Sequence, residues 1–136
     1  MNKTHMIIAS VIAGALSTMN MWAAKSSDTR FHLNDVYMVA LMTLWMMLFM
    51  GLFDYKHISV IAASLIGIII ISYMIRKQSF IDDSQYVKGM IPHHSMAITM
   101  SERIKEKSKD PVIIDMATNI IKAQSEEINR MKMMGY

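Results

Sequence analysis

Cysteine is absent from all 136 residues, which excludes disulfides, thiolate metal sites and a cysteine nucleophile together. Charge is absent from three long stretches: positions 6–24, 36–53 and 58–75 contain no Asp, Glu, Lys or Arg. The C-terminal part has no basic patch of the kind that binds nucleic acid. A nucleophile–base pair and a phosphate-cradling loop are missing too, which leaves an enzyme reading without support.

What is present is apolar. Hydrophobic residues make up 53% of the chain, against about 45–50% in soluble domains, and they come in blocks. Eighteen helical residues rise about 27 Å, close to the hydrocarbon thickness of a bilayer. Residues 1–77 therefore read as a membrane region with three transmembrane helices at about 6–24, 36–53 and 58–75. The first block has a second reading as a signal peptide, because Trp22-Ala23-Ala24 loosely fits a small-residue cleavage site. Only Asp54-Tyr55-Lys56-His57 links the second and third blocks, so these two form an antiparallel hairpin. Trp22, Tyr37, Tyr55 and Tyr73 lie near block ends, where amphipathic rings favour the interface.

The net charge of +3 belongs entirely to residues 1–77, since residues 78–136 carry eight cations and eight anions. Cations beside apolar blocks meet lipid head groups. By the positive-inside rule, Lys25, Arg30, Arg76 and Lys77 favour a cytoplasmic C-terminal part.

Methionine is the most over-represented residue, with 17 copies. In the second block Met38, Met42, Met46 and Met50 form an i, i+4 row, with Met47 beside it. Such a row either packs adaptably against neighbouring helices or forms a ladder of soft ligands for a monovalent metal, as in a small transporter.

Residues 78–136 read as an amphipathic helical hairpin. Asp82 and Gln85 have the spacing of a capping box, and Asp110-Pro111 suits the start of a second helix after a break at Ser108-Lys109. One seam steps through Tyr86, Met90, His93, Ala97, Met100 and Ile104. The other steps through Ile113, Ala117, Ile120, Gln124, Glu127 or Ile128, Met131 and Met134. Pro92 interrupts the first helix, where it cannot donate to Lys88. With the turn near 108–109, His93 faces Gln124, Met90 faces Glu127 and Tyr86 faces Met131. Polar groups that meet on apolar seams are either a hydrogen-bonded plug or a ligand site. Met90, His93, Met96 and Met100 share a face, and His94 adds a second imidazole. Thioether plus imidazole without thiolate suits Cu(I) or Ag(I). The Glu-x-x-His pattern of a di-iron carboxylate site is missing.

Tyr86-Val-Lys-Gly-Met90-Ile-Pro92-His93-His94-Ser-Met96-Ala97-Ile98 and Met116-Ala-Thr-Asn-Ile-Ile-Lys-Ala-Gln124-Ser-Glu126-Glu127-Ile128-Asn-Arg-Met131 resemble the family called domain of unknown function 305. The resemblance covers about residues 80–134, and the preceding apolar helices are similar to a membrane-bound branch of that family. It implies a ferritin-like hairpin or bundle. It also implies copper or silver binding in support of metal tolerance, with Met90, His93, His94, Gln124, Glu127 and Met131 at the site. Many members carry Gln where Ser95 stands here, and members with two copies of the domain build a four-helix unit alone. This chain has one copy.

The expected protein is thus all-α: three transmembrane helices, then a ferritin-like antiparallel hairpin over 78–136 that captures or passes Cu(I) or Ag(I). A structural membrane adaptor is the alternative. The expected partners are the lipid bilayer, a second copy of the chain and other metal-handling proteins. A hairpin of about 55 residues buries little apolar area alone, and Val87, Ile91, Ile98, Ile114 and Ile121 form second stripes that a dimer would cover. The expected location is a bacterial cytoplasmic (inner) membrane. The hairpin is placed outside the cytoplasm, because the resemblance implies extracytoplasmic metal handling and a cysteine-free soft site suits an oxidising compartment.

Overall fold

A computed structural model of the chain describes residues 3–17, 22–53 and 58–135. The described residues form five helices and no strand: α1 (Lys3–Leu16), α2 (Leu33–Phe53), α3 (Ile58–Lys77), α4 (Asp83–Lys107) and α5 (Pro111–Met133). They belong to two compact units. One contains residues 1–18 and 33–81, and the other contains residues 19–32 and 82–136. The segment before α2 belongs with the C-terminal hairpin.

In the first unit α2 packs against both α1 and α3. A Cβ on Gly51 would meet Ile61, and one on Gly67 would meet Leu44, so the α2–α3 pair runs antiparallel at close approach. The linker 54–57 that prompted this expectation lies outside the described residues, as does Tyr55. Gly14 lets α1 approach the Val39 carbonyl, and the Thr43 hydroxyl donates to the Ser10 carbonyl at 3.3 Å.

Among the described residues, only α2 and α3 are long and apolar enough to cross a membrane. The expected third span over 6–24 is corrected: α1 has 14 residues, a rise of about 21 Å. It ends where the Ser17 N–H turns back to the Gly14 carbonyl and the Ser17 hydroxyl to that of Ala13, which tightens the last turn. Tyr37 is also not an interface ring. It is buried, and its hydroxyl donates to the Ser79 carbonyl.

In the second unit both expected caps form. Asp82 accepts from the Gln85 N–H at 2.7 Å, and Asp110 accepts from the Val112 N–H at 2.8 Å, with Pro111 opening α5. α4 continues through Pro92, which is fully enclosed. The buried face of α4 is displaced by one residue from the expected seam. Val87, Ile91 and Ile98 form the core with Ile128, and Ile121 and Met131 pack against it. Tyr86, Met100 and Ile104 are exposed instead.

The displacement has a cause in residues 22–32, which lie on the hairpin as a strap. The Lys25 N–H donates to Ser95 Oγ at 2.9 Å, and Ser95 has no exposed surface. The His32 ring covers Gly89, where an added Cβ would lie 3.4 Å from the imidazole. Asp28, 5% exposed, receives Lys132 Nζ at 2.5 Å. Lys25 also reaches Glu102 at 3.0 Å, a half-exposed pair of small energetic weight. The strap therefore covers one flank of α4 and leaves the Tyr86–Met100–Ile104 flank open.

Burial alone would raise the Asp28 carboxyl. Hydrogen bonds from Lys132 and Ser95 and the charges of Lys132 and Arg30 outweigh it and hold the group below its ordinary value. A carboxyl lowered in the folded state stabilises it fully above the ordinary value of 3.8 and loses that contribution as the pH falls through the folded value. Asp28→Ala is expected to cost about 1–3 kcal/mol at neutral pH, with a cost that shrinks in acid. Limited trypsin digestion checks the strap directly: Lys25 and Arg30 resist cleavage in the parent and become cleavable in the variant.

Candidate functional site

The residues singled out in the sequence occupy the middle of α4 and the second half of α5. His94 is buried, and both its ring nitrogens are engaged. Nδ1 lies 2.7 Å from the Met90 carbonyl and Nε2 lies 2.7 Å from Glu127 Oε2. A carbonyl oxygen can only accept, so Nδ1 carries the hydrogen and donates it to the carbonyl four residues earlier. That bond fixes the ring and aims Nε2 at the carboxylate. At 2.7 Å the nitrogen and oxygen hold a proton between them, and a cation bound by both would have to displace it. A histidine whose other nitrogen is held by a backbone carbonyl is the usual arrangement behind a metal ligand.

His93 behaves differently. Its side chain is exposed, and its ring meets that of His94 edge-on with centroids 6.1 Å apart. Neither of its nitrogens has a hydrogen bond among the described residues. Met90 and Met96 are half-buried and Met100 is 63% exposed. His93, Met96 and Met100 follow steps of three and four, so they share the open flank of α4 beside the His94–Glu127 pair. On α5, Gln124, Glu127 and Met131 are half-buried, with Met131 packed on the apolar core.

The structure thus brings together Met90, His94 and Glu127. The helix opposite supplies Glu127 to His94, where hairpin arithmetic expected Met90 opposite Glu127. Among the described residues no three His, Cys, Asp or Glu side chains gather into a metal-holding cluster. A metal here would draw on thioethers as well: two imidazoles, one carboxylate and the sulfurs of Met90, Met96 and Met100. That donor set matches a soft monovalent cation better than a hard divalent one.

Sequence reasoning missed Ser95, Asp28, His32 and Lys132, which anchor the strap to the same helices. A signal existed at Ser95, where the family resemblance expects Gln. The other three carried none, because their partners lie 57 to 104 positions away.

The family model described as Domain of unknown function (DUF305) matches residues 75–135. An uncharacterized protein of Acanthamoeba polyphaga mimivirus is 54% identical over 130 residues, covering 93% of this chain and 86% of its own length. No solved structure matches the chain. The viral similarity runs through the apolar helices as well as the hairpin, and the chain belongs to the domain of unknown function 305 family.

Proposed function

We propose that this chain is a membrane-anchored, non-enzymatic metal-binding protein whose α4–α5 hairpin captures or passes Cu(I) or Ag(I). One observation carries the reading. His94 is fixed through Nδ1 on the Met90 carbonyl, so that Nε2 meets the Glu127 carboxylate beside an open flank of His93, Met96 and Met100. His94 and Glu127 would hold the cation from within the hairpin, and His93 with the methionine thioethers would take it from solution or pass it on. Gln124 and Met131 stand on the facing helix, where they complete the polar and soft lining. α2 and α3 supply the anchor. The methionine row of α2 supports a transporter less well, because Met38 and Met42 are exposed on the outside of their unit.

Full-length protein in mild detergent is expected to take Cu(I) from a chromophoric chelator. His93→Ala/His94→Ala should weaken binding by about 10–100-fold, the usual cost of losing ligands and their orientation. A parent protein that competes no better than the double variant leaves the hairpin a structural adaptor.

The open flank favours a second element of the proposal, a homodimer. Tyr86, Met100 and Ile104 on α4 and Val112 and Met116 on α5 are exposed apolar side chains. Pairing two hairpins would bury them in a four-helix bundle. His94 and Glu127 already meet within one chain, so the partner would add donors next to His93. Mass measurement in mild detergent is expected to give a dimer for the parent and a monomer for Met100→Glu. A monomeric parent with undiminished Cu(I) affinity rejects the shared site.

The hairpin is proposed to lie outside the cytoplasm, on the argument that a cysteine-free Met/His site suits an oxidising compartment. The mimivirus similarity does not bear on which membrane holds it. A C-terminal tag on intact cells stripped of any wall should be cut by added protease. A tag protected until the membrane is lysed places the hairpin inside.

A further inference from the structure

The turn that ends α3 is strained, tightly bonded and tipped by an exposed aromatic ring. The Gln78 N–H returns to the Ile75 carbonyl and the Ser79 N–H to that of Met74, the pair of bonds that closes a helix through a left-handed residue. Glycine normally fills that position, yet here it is Gln78, at φ 49°. Its side chain compensates locally: the amide donates to the Ile75 carbonyl at 2.7 Å and exchanges bonds with Asn34 at the start of α2. Phe80 is left-handed too, at φ 59°, which is an outlier for a bulky side chain. Between them, the Ser79 carbonyl is held by the buried Tyr37 hydroxyl.

The result of this bracing is that Phe80 stands 82% exposed. In the C-terminal part of α3 are Tyr73, 62% exposed, and the exposed cations Arg76 and Lys77, which have no ion-pair partner among the described residues. An aromatic pair and two unpaired cations at the end of a 20-residue apolar helix match the layered chemistry of a bilayer surface, acyl boundary below and phosphate above. Strain of this kind persists where surrounding bonds over-determine it, and it gathers at sites that contact a ligand.

We propose that the 78–80 turn is a lipid-binding anchor, in which Phe80 and Tyr73 enter the acyl–headgroup boundary and Arg76 and Lys77 bind the phosphates of anionic lipids. The inference rests on α2 and α3 crossing the membrane. Its test separates the two, because Trp45 near the middle of α2 reports depth independently.

Two single-tryptophan chains are reconstituted in vesicles of phosphatidylcholine and phosphatidylglycerol carrying brominated lipids. One retains Trp45 after Trp22→Phe. The other carries Trp22→Phe, Trp45→Phe and Phe80→Trp. Bromines deep in the chains should quench Trp45, and bromines near the headgroup should quench the indole at position 80. Placing the bromines on phosphatidylglycerol should quench that indole more than placing them on phosphatidylcholine. An enrichment of roughly fivefold per cation is expected at low ionic strength, falling to parity in Arg76→Gln/Lys77→Gln. If Trp45 is quenched while position 80 answers only to aqueous iodide, the anchor is overturned and the membrane reading stands. If neither is quenched by brominated lipid, the membrane reading itself fails. Since the chain has no cysteine, a nitroxide on Phe80→Cys repeats the depth measurement should the tryptophan variants misfold. Partition toward water-soluble nickel over oxygen would again overturn the anchor.

Discussion

The hydroxyl of Ser95 sits in a space that water does not reach, and much of the hairpin follows from how that space is closed. A buried hydroxyl must be bonded or it destabilises the fold. Here it accepts the Lys25 N–H and turns its own hydrogen to the Asp28 carboxylate. That exchange brings the strap onto α4, and Asp28 carries the connection across to Lys132 on α5. Three groups distant in sequence are thereby fixed to one flank. α4 must then turn its Val87–Ile91–Ile98 stripe toward α5, because the strap has taken the adjoining side. A glutamine, which the family resemblance implies at this position, would need more room than an enclosed serine leaves. The strap and the serine belong together.

The same rotation divides the two adjacent histidines between two tasks. Side chains at neighbouring helical positions point about 100° apart, so one can be inside only if the other is near the edge. His94 falls inside and is held at both nitrogens, which gives it a defined orientation and a carboxylate partner. His93 falls on the open flank and keeps its nitrogens for whatever approaches from solution. Under the proposed function, a soft cation would meet the exposed thioether and imidazole face first and the oriented imidazole second. Pro92, just before them, removes a backbone donor without breaking the helix, and its ring fills space against the core.

Local chemistry was legible in the sequence. Asp82 and Asp110 cap the helices they precede because capping depends on a few residues in a row, and Pro111 needs no partner at a first helical position. The two long apolar helices were legible for a similar reason: each is marked by 18 consecutive uncharged residues. The phase of α4 was not legible. Its two stripes are about equally apolar, and the choice between them is made by Lys25, Asp28 and His32, which no periodicity within α4 can reveal. Length failed in the first block for another reason. Composition tells where a segment partitions but not where its backbone turns, and Ser17 closes α1 while the surrounding sequence is still uncharged. Of the candidate site, the residue types and the participation of both helices were readable. The pairing of His94 with Glu127 depended on the rotation and was not.

Tyr37 and Phe80 show how a hydroxyl sorts two aromatic rings that the sequence places at the same end of α2 and α3. The left-handed turn after α3 leaves the Ser79 carbonyl facing inward, and a buried carbonyl needs a donor. Tyrosine brings an apolar ring and a donor together, so Tyr37 can go inside and satisfy that oxygen. Phenylalanine has no donor to offer and gains nothing from that position. The bonded ring is enclosed, the turn is locked by it, and the locked turn fixes the unbonded ring on the outside. Aromatic position near the end of an apolar helix is therefore a poor guide to which ring is exposed, and the distribution of backbone carbonyls that need a donor is a better one.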